Sequence, residues 1–322
     1  MKNFPVFFYL IIFLALYSCT NKQFTPAEAD RSMKILNSNL VNLATAGAEK
    51  PEFNALKFLY QQSGVPLPFA KRTGVLADTS TFRMTTQKGI YEWNKLLQCF
   101  EKKQPSEKVI LLFPLDSVKN DSTRFELADY TTQAYSSRPD LPISGKIRIF
   151  KDDHQIFTVL HTATITNNLP ESIHTTAEGD DYSVKFLLNR TQSGNSGDLS
   201  IDFSLGDKGF DAISAEVRAK IEYSRQGYFF KTIDFKIKLI DHHVTGKINY
   251  SAIDPTSADY ISSFNSNSSI LLFEGNHQVG RIVLNKIENG ELLDYFIRFS
   301  DENEVLLSHY ISLLNKLLNL KY

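Results

Sequence analysis

The sequence has few cysteines and no excess of charge of either sign. Among its 322 residues only Cys19 and Cys99 are cysteines, and 35 basic residues stand against 36 acidic ones. Two cysteines cannot form the disulfide framework of a small secreted domain. A balanced charge argues against the strong positive excess that is typical of nucleic-acid-binding proteins. We therefore expect no nucleic-acid partner.

The motifs that most often carry enzyme chemistry are also absent. The sequence contains no Gly-x-Gly, no Gly-x-Ser-x-Gly, no His-Glu-x-x-His and no Cys-x-x-Cys, which excludes the usual signatures of dinucleotide loops, nucleophile elbows and common zinc sites. Catalytic groups can still be assembled from distant positions. A hydrolase without a recognisable motif is therefore kept as a third hypothesis, and the sequence predicts no catalytic residue, no cofactor and no metal site.

Histidines at two places in the sequence could serve as metal ligands or as core residues. In Asp241-His242-His243, strand alternation would place the two imidazoles on opposite faces, so they could not share a metal ion. The apolar phase also changes here, between Leu239 and Val244, which predicts a polar turn. His161 is in phase with an apolar face, and we interpret it as a hydrogen-bonded core residue.

The N-terminus indicates where the protein resides. An apolar run from Phe4 to Leu16 follows Lys2, and it is shorter than the roughly 20 residues of a membrane-spanning helix. The next residues, Leu16-Tyr17-Ser18-Cys19, resemble a bacterial lipobox. This resemblance implies a signal peptide over 1–18, acylation of Cys19, a tether over 19–24, and attachment to the membrane through the lipid.

The residues after Cys19 bear on the destination of such a lipoprotein. Neither an adjacent Asp nor an acidic cluster follows Cys19; these are the signals for inner-membrane retention and for surface export. The expectation is an outer-membrane lipoprotein that faces the periplasm, and exposure at the cell surface stays open.

The segment from 25 to 80 predicts helices. Thr25-Pro26-Ala27-Glu28 has the spacing of a capping box with proline at the first helical position, which is a helix start. We predict helices from 26 to about 46 and from 52 to 62, followed by an extended connection over 64–80. The helices are expected to pack on the β-rich part, 81–322, within a single domain.

Beyond residue 81 the hydrophobic period changes from 3.6 to 2. The longest alternating runs are 213–223 and 229–239, as expected for antiparallel strands with one buried and one wet face. A further helix is predicted from Asp301 to Leu320. The predicted fold class is α+β: a large, curved, mainly antiparallel sheet of about a dozen strands, half-barrel-like, with two N-terminal helices and one C-terminal helix.

The apolar face of the two longest runs is the predicted ligand site, because apolar ligands bind in concave, mostly apolar surroundings. Its candidate residues are Val217, Ile221, Phe229, Ile233, Phe235 and Ile237. The architecture is similar to the half-barrel of periplasmic lipoprotein carriers and lipid-binding lipoproteins, as an analogy of fold class only. The segments 88–94 and Phe113-Pro114 resemble outer-membrane lipoproteins of Bacteroidota, which supply no activity to transfer.

Two hypotheses about function follow. The first is a non-enzymatic lipoprotein that binds a lipid or another apolar small molecule. The alternative is a structural or interaction lipoprotein that contacts an envelope protein.

Overall fold

The computed structural model describes residues 22–62, 65–67, 84–115, 122–133, 141–167, 169–207, 210–224, 227–254, 256–287 and 292–311. The predicted signal peptide and Cys19 lie outside the described residues. So do most of the predicted connection over 64–80, residues 288–291, and the chain from 312 onward, which includes most of the predicted C-terminal helix.

Two helices open the described chain, as the sequence predicts. Helix α1, Pro26–Ala48, starts with the predicted capping box: the Glu28 backbone N–H donates to Thr25 Oγ1 (3.4 Å), and the Thr25 N–H donates to Glu28 Oε2 (2.8 Å). These bonds satisfy two N–H groups that a helix start leaves without partners. Helix α2, Pro51–Gln61, follows after a two-residue link. Three short helices occur later: α3 (Met84–Gln87), α4 (Tyr260–Ser266) and α5 (Leu307–Tyr310).

The described residues form seventeen strands in one sheet. They are β1 (Lys22–Gln23), β2 (Gly89–Asn94), β3 (Cys99–Gln104), β4 (Val109–Phe113), β5 (Thr123–Gln133), β6 (Leu141–Lys151), β7 (His154–Thr166), β8 (Leu169–Gly179), β9 (Tyr182–Arg190), β10 (Ser196–Asp207), β11 (Phe210–Ser224), β12 (Gly227–Leu239), β13 (His242–Asn249), β14 (Ser268–Glu274), β15 (His277–Lys286), β16 (Leu293–Arg298) and β17 (Glu304–Leu306).

The sheet is a long meander. From β4 to β17 each strand pairs antiparallel with the next one along the chain. At the N-terminal end β2 lies between β3 and β4 and runs parallel to β4, while β1 runs parallel to β15. The sheet is unclosed and curved. The predicted fold class is confirmed, with more strands than the sequence suggested.

The C-terminal helix begins later than predicted. Residues Glu304–Leu306 pair with β16 as a strand, so the helix starts at Leu307 and not near Asp301. Asp301 accepts a hydrogen bond from the Asn303 N–H (3.2 Å) within a turn instead of capping a helix. Pairing with a neighbouring strand overrides the local helix-start signal.

One face of the sheet carries the helices, and we call it the inner face. Directly opposed residues on neighbouring strands share a face, so Ile213, Leu239 and His242 lie on the inner face together with their partners. The outer face carries cross-strand ion pairs, such as Arg218 Nη2–Asp202 Oδ1 (2.7 Å) and Lys220 Nζ–Asp198 Oδ1 (2.6 Å). It is a solvated surface, as the alternation of charged residues indicates.

Helices α1 and α2 lie along one edge of the inner face, the upper edge, which bears the turns 152–153, 180–181, 240–241 and 275–276. At its start, α1 is held to β15 because the Phe24 N–H donates to Gln278 O (2.9 Å). At its end, Lys50 pairs with Asp181 in the turn between β8 and β9. With a rise of 1.5 Å per residue, 23 residues span about 35 Å, which carries α1 across the strands from β15 to β9.

Two buried clusters lie beneath the helices. The α1 cluster joins α1 to β13–β16 and contains Ala29, Met33, Leu36, Leu40, Val244, Ile248, Ile270, Leu272, Val279 and Ile297, among others. The α2 cluster joins α2 to β2, β4–β7 and β9 and contains Ala55, Leu59, Val109, Leu111, Phe125, Leu127, Ile149 and Phe157, among others. A smaller third cluster of Leu199, Ala219 and Ile221 lies lower on β10 and β11.

Candidate ligand-binding site

The structure places five of the six predicted site residues on the inner face and one on the outer face. Phe229 stands opposite Glu222, because the register between β11 and β12 shifts after Lys220 and leaves Lys231 as an extra residue. A bulge of this kind reverses the face of every residue beyond it. Phe230 takes the inner position opposite Ile221, and Phe229 is 50% exposed on the polar face.

Four of the five remaining candidates lie in the buried clusters or pack against them. Phe235 and Ile237 pack against the α1 cluster, and the Phe235 ring lies over Gly246, where a Cβ would come within 2.1 Å of its Cζ. Ile221 is buried in the third cluster, and Ile233 packs against it. Val217 differs, since it is half-buried and belongs to none of the three clusters of the described chain.

Val217 is part of a wider apolar surface on β7–β11, which we call the open strip. The strip consists of Ala163, Ile173, Phe186, Leu188, Ile201, Phe203, Ala215 and Val217, all of them half-buried. Two of them, Leu188 and Ile201, also pack against the third cluster. Cross-strand pairing places them in two rows, as in the pairs Phe186–Phe203 and Leu188–Ile201. Five strands at a spacing of about 4.8 Å give the strip a width of roughly 19 Å.

The path of the helices explains why the strip stays partly exposed. The row of inner-face residues at the upper edge, including Val159, Val184 and Leu205, is packed against the α2 cluster. The next two rows toward the lower edge form the strip, and the third cluster lies below them. The strip is therefore an apolar surface on the inner face. On one side it adjoins the row that packs against the α2 cluster, and on the other side it adjoins the third cluster.

Two polar groups border the strip. His161 Nδ1 lies 2.8 Å from Thr175 Oγ1, and its Nε2 lies 3.3 Å from Pro142 O. The imidazole is hydrogen-bonded, as predicted, but it is half-buried and belongs to none of the buried clusters of the described chain. Thr175 stands directly opposite Phe186. A few polar groups beside a mostly apolar surface are typical of small-molecule sites, where they orient the ligand.

The buried Arg190 lies below the strip and was not found by the sequence reasoning. Its Nε donates to Pro170 O (2.7 Å), its Nη1 to the Tyr223 hydroxyl (2.7 Å), and its Nη2 to Thr166 O (3.2 Å) and Leu169 O (3.3 Å). The guanidinium therefore fastens the turn between β7 and β8 to β11. Its signal in the sequence was an arginine in phase with apolar Phe186 and Leu188.

The two adjacent histidines point to opposite faces, as predicted from alternation. His242 is fully buried under α1, with Nε2 2.9 Å from Ser32 Oγ, and its Nδ1 has no hydrogen-bond partner among the described residues. Burial lowers the pKa of His242, and nearby Glu274 and Asp241 oppose that effect. His243 stacks on Phe273 with ring centres 4.9 Å apart. Among the described residues no three potential metal ligands come together.

Concavities on the outer face have a different character. One is lined by Lys236, Lys238, Asp241 and His243, and another by Lys146, Arg148 and Glu178. Their charged linings favour water over an apolar ligand. The open strip is thus the candidate site for an apolar molecule.

Within the described part of the chain, no helix is both long and apolar enough to cross a bilayer. Comparisons of the chain with protein-family models, with curated proteins and with solved structures gave no match.

Proposed function

We propose that this protein is an acyl-anchored lipoprotein of the outer membrane, facing the periplasm, that holds a lipid or another apolar ligand on the open strip. The observation that carries the ligand proposal is the strip itself: adjoining apolar side chains, Phe186 and Phe203 among them, are only half-buried on the helix-bearing face. The anchor rests on the resemblance of Leu16-Tyr17-Ser18-Cys19 to a lipobox.

The chemistry of the strip supports an elongated apolar ligand. Covering apolar surface contributes about 25 cal/mol for each Å² removed from water, so a hydrocarbon chain laid across β8–β11 would be stabilised over the whole strip. At its border the Thr175 hydroxyl oxygen can accept a hydrogen bond from a polar head, whereas both ring nitrogens of His161 are already hydrogen-bonded. An amphipathic lipid satisfies both parts of the surface.

An interaction role is the second candidate. Among the described residues strand β3 pairs only with β2, and an open strand edge is a template for pairing with another chain. In that case the strip and this edge would contact an envelope protein instead of a small molecule.

Native mass spectrometry of the unacylated mature chain, beginning at Thr20, tests the ligand proposal. We expect co-purified lipid on the wild type and its loss in Phe203→Asn, since an amide in the strip would be desolvated by the ligand. The matched control is Phe229→Asn, which changes the same residue type on the outer face. Wild-type protein free of lipid, which then also fails to take up fatty acid or phospholipid in titration, would refute the proposal and favour the interaction role.

A further inference from the structure

Two leucines project into solvent from the turn between β2 and β3. Leu96 is 94% exposed and Leu97 64% exposed. The turn is well fixed: Asn94 Oδ1 accepts hydrogen bonds from the N–H groups of Leu96 (3.0 Å) and Leu97 (3.2 Å), and Gln98 Nε2 donates to Lys95 O (2.8 Å). The leucines are thus presented by an ordered turn, and we call residues 95–98 the leucine turn.

Aromatic side chains pack next to the leucine turn. Trp93 contacts Phe58 and Phe100 edge-on, with ring centres 5.2 Å apart in both pairs. Phe58 also stacks on Phe113 at 4.9 Å. These contacts tie the hairpin to α2 and β4, so the tip cannot fold back without breaking them. Exposed leucines beside a lysine are typical of segments that bind a membrane surface, and Trp93 lies next to them while it packs against the α2 cluster.

Strand direction places the leucine turn at the same edge of the sheet as the start of the described chain. Strand β2 is parallel to β4, and the strands alternate in direction from β4 to β15, so β2 ends at the edge where β15 begins. Strand β1 runs parallel to β15, with Lys22 opposite His277. The chain therefore enters the fold at the upper edge, three residues after Cys19, and the leucine turn projects from that edge.

We propose that the leucine turn inserts into the surface of the bilayer that carries the acyl anchor. This inference rests on the anchor of the proposed function and adds a second contact, which fixes the upper edge of the sheet against the membrane. Lys95 beside the leucines complements anionic headgroups, and a lysine stem can lie along the interface with its charge in water. One acyl-linked point alone would leave the orientation of the sheet free.

The only tryptophan, Trp93, makes the contact measurable. The acylated full-length protein is reconstituted in phosphatidylcholine–phosphatidylglycerol vesicles whose acyl chains carry bromine, and tryptophan quenching is recorded. We expect quenching of the wild type and a more than about twofold decrease of quenching in the Leu96→Ser/Leu97→Ser variant, because two apolar side chains leave the interface. Urea midpoints of both proteins verify that the fold is retained.

A second leucine pair supplies the matched control. Leu292 and Leu293 are 73% and 42% exposed and lie at the start of β16, at the opposite edge of the sheet. Leu292→Ser/Leu293→Ser is expected to be quenched like the wild type, and so is Phe203→Asn in the open strip. Equal quenching of wild type and the Leu96/Leu97 variant, or loss of quenching only in the control pair, would overturn the inference.

The same preparation separates this inference from the proposed function. Protein that does not stay with the vesicles, and behaves like Cys19→Ser, would refute the anchor and with it the inference. Protein that stays with the vesicles while Trp93 remains unquenched would refute the leucine-turn contact alone.

Discussion

We expect the buried His242, which lies beside Ser32, to make the stability of the fold depend on pH. His242, the first residue of β13, is fully buried under α1; among the described residues its Nδ1 has no hydrogen-bond partner, and Glu274 Oε2 lies 3.9 Å from Nε2. Burial lowers its pKa below the ordinary 6.5 in the folded state. Between that lowered pKa and 6.5 the unfolded chain binds a proton that the folded chain does not bind, so stability decreases as the pH falls.

The size of the change in the free energy of unfolding follows from the binding of one proton to His242. The free energy of unfolding should fall by at most about 1.4 kcal/mol per pH unit within this range and stop changing, as far as His242 is concerned, below the folded pKa. Urea unfolding at pH 7.5, 6.5, 5.5 and 5.0, followed by circular dichroism, measures the slope. These four pH values lie above the pH at which ordinary carboxyl groups titrate.

Two variants assign the slope to this residue. His242→Gln retains a polar group near Ser32 but cannot titrate, so its free energy of unfolding should depend less on pH between 7 and 5. His154→Gln removes an exposed histidine and should preserve the wild-type slope. If wild type and His242→Gln show the same slope, the buried imidazole does not control α1 and the reasoning is refuted.

Two further changes test the inner face. Arg190→Lys removes the fork that reaches two strands and a turn, and we expect a loss of about 2–4 kcal/mol in the free energy of unfolding from unpaired buried carbonyls. Arg218→Lys on the solvated outer face should change it by less than about 0.5 kcal/mol, and equal effects would contradict the role of Arg190. Gly246→Ala should destabilise by about 1–3 kcal/mol because its Cβ would overlap the Phe235 ring. The cost should shrink in a Phe235→Leu background, and an additive double-mutant cycle would show that the two residues are not coupled.

Local patterns predicted the parts of this fold that depend on neighbouring residues. The capping box at Thr25–Glu28 gave the start of α1, because its bonds join residues three apart. Alternation over 213–223 predicted a strand with one apolar face, since side-chain direction along a strand is fixed by backbone geometry. The same alternation placed His242 and His243 on opposite faces.

The sequence by itself thus determined the class of the fold and the apolar character of one sheet face. Only the tertiary structure decided which part of that face is filled. The bulge at Lys231 moved Phe229 to the outer face, pairing with β16 made a strand of Glu304–Leu306, and the path of α1 and α2 along the upper edge left the open strip half-buried. Each outcome depends on contacts between residues far apart in the chain. The hydrophobic period of a short segment carries no information about such contacts.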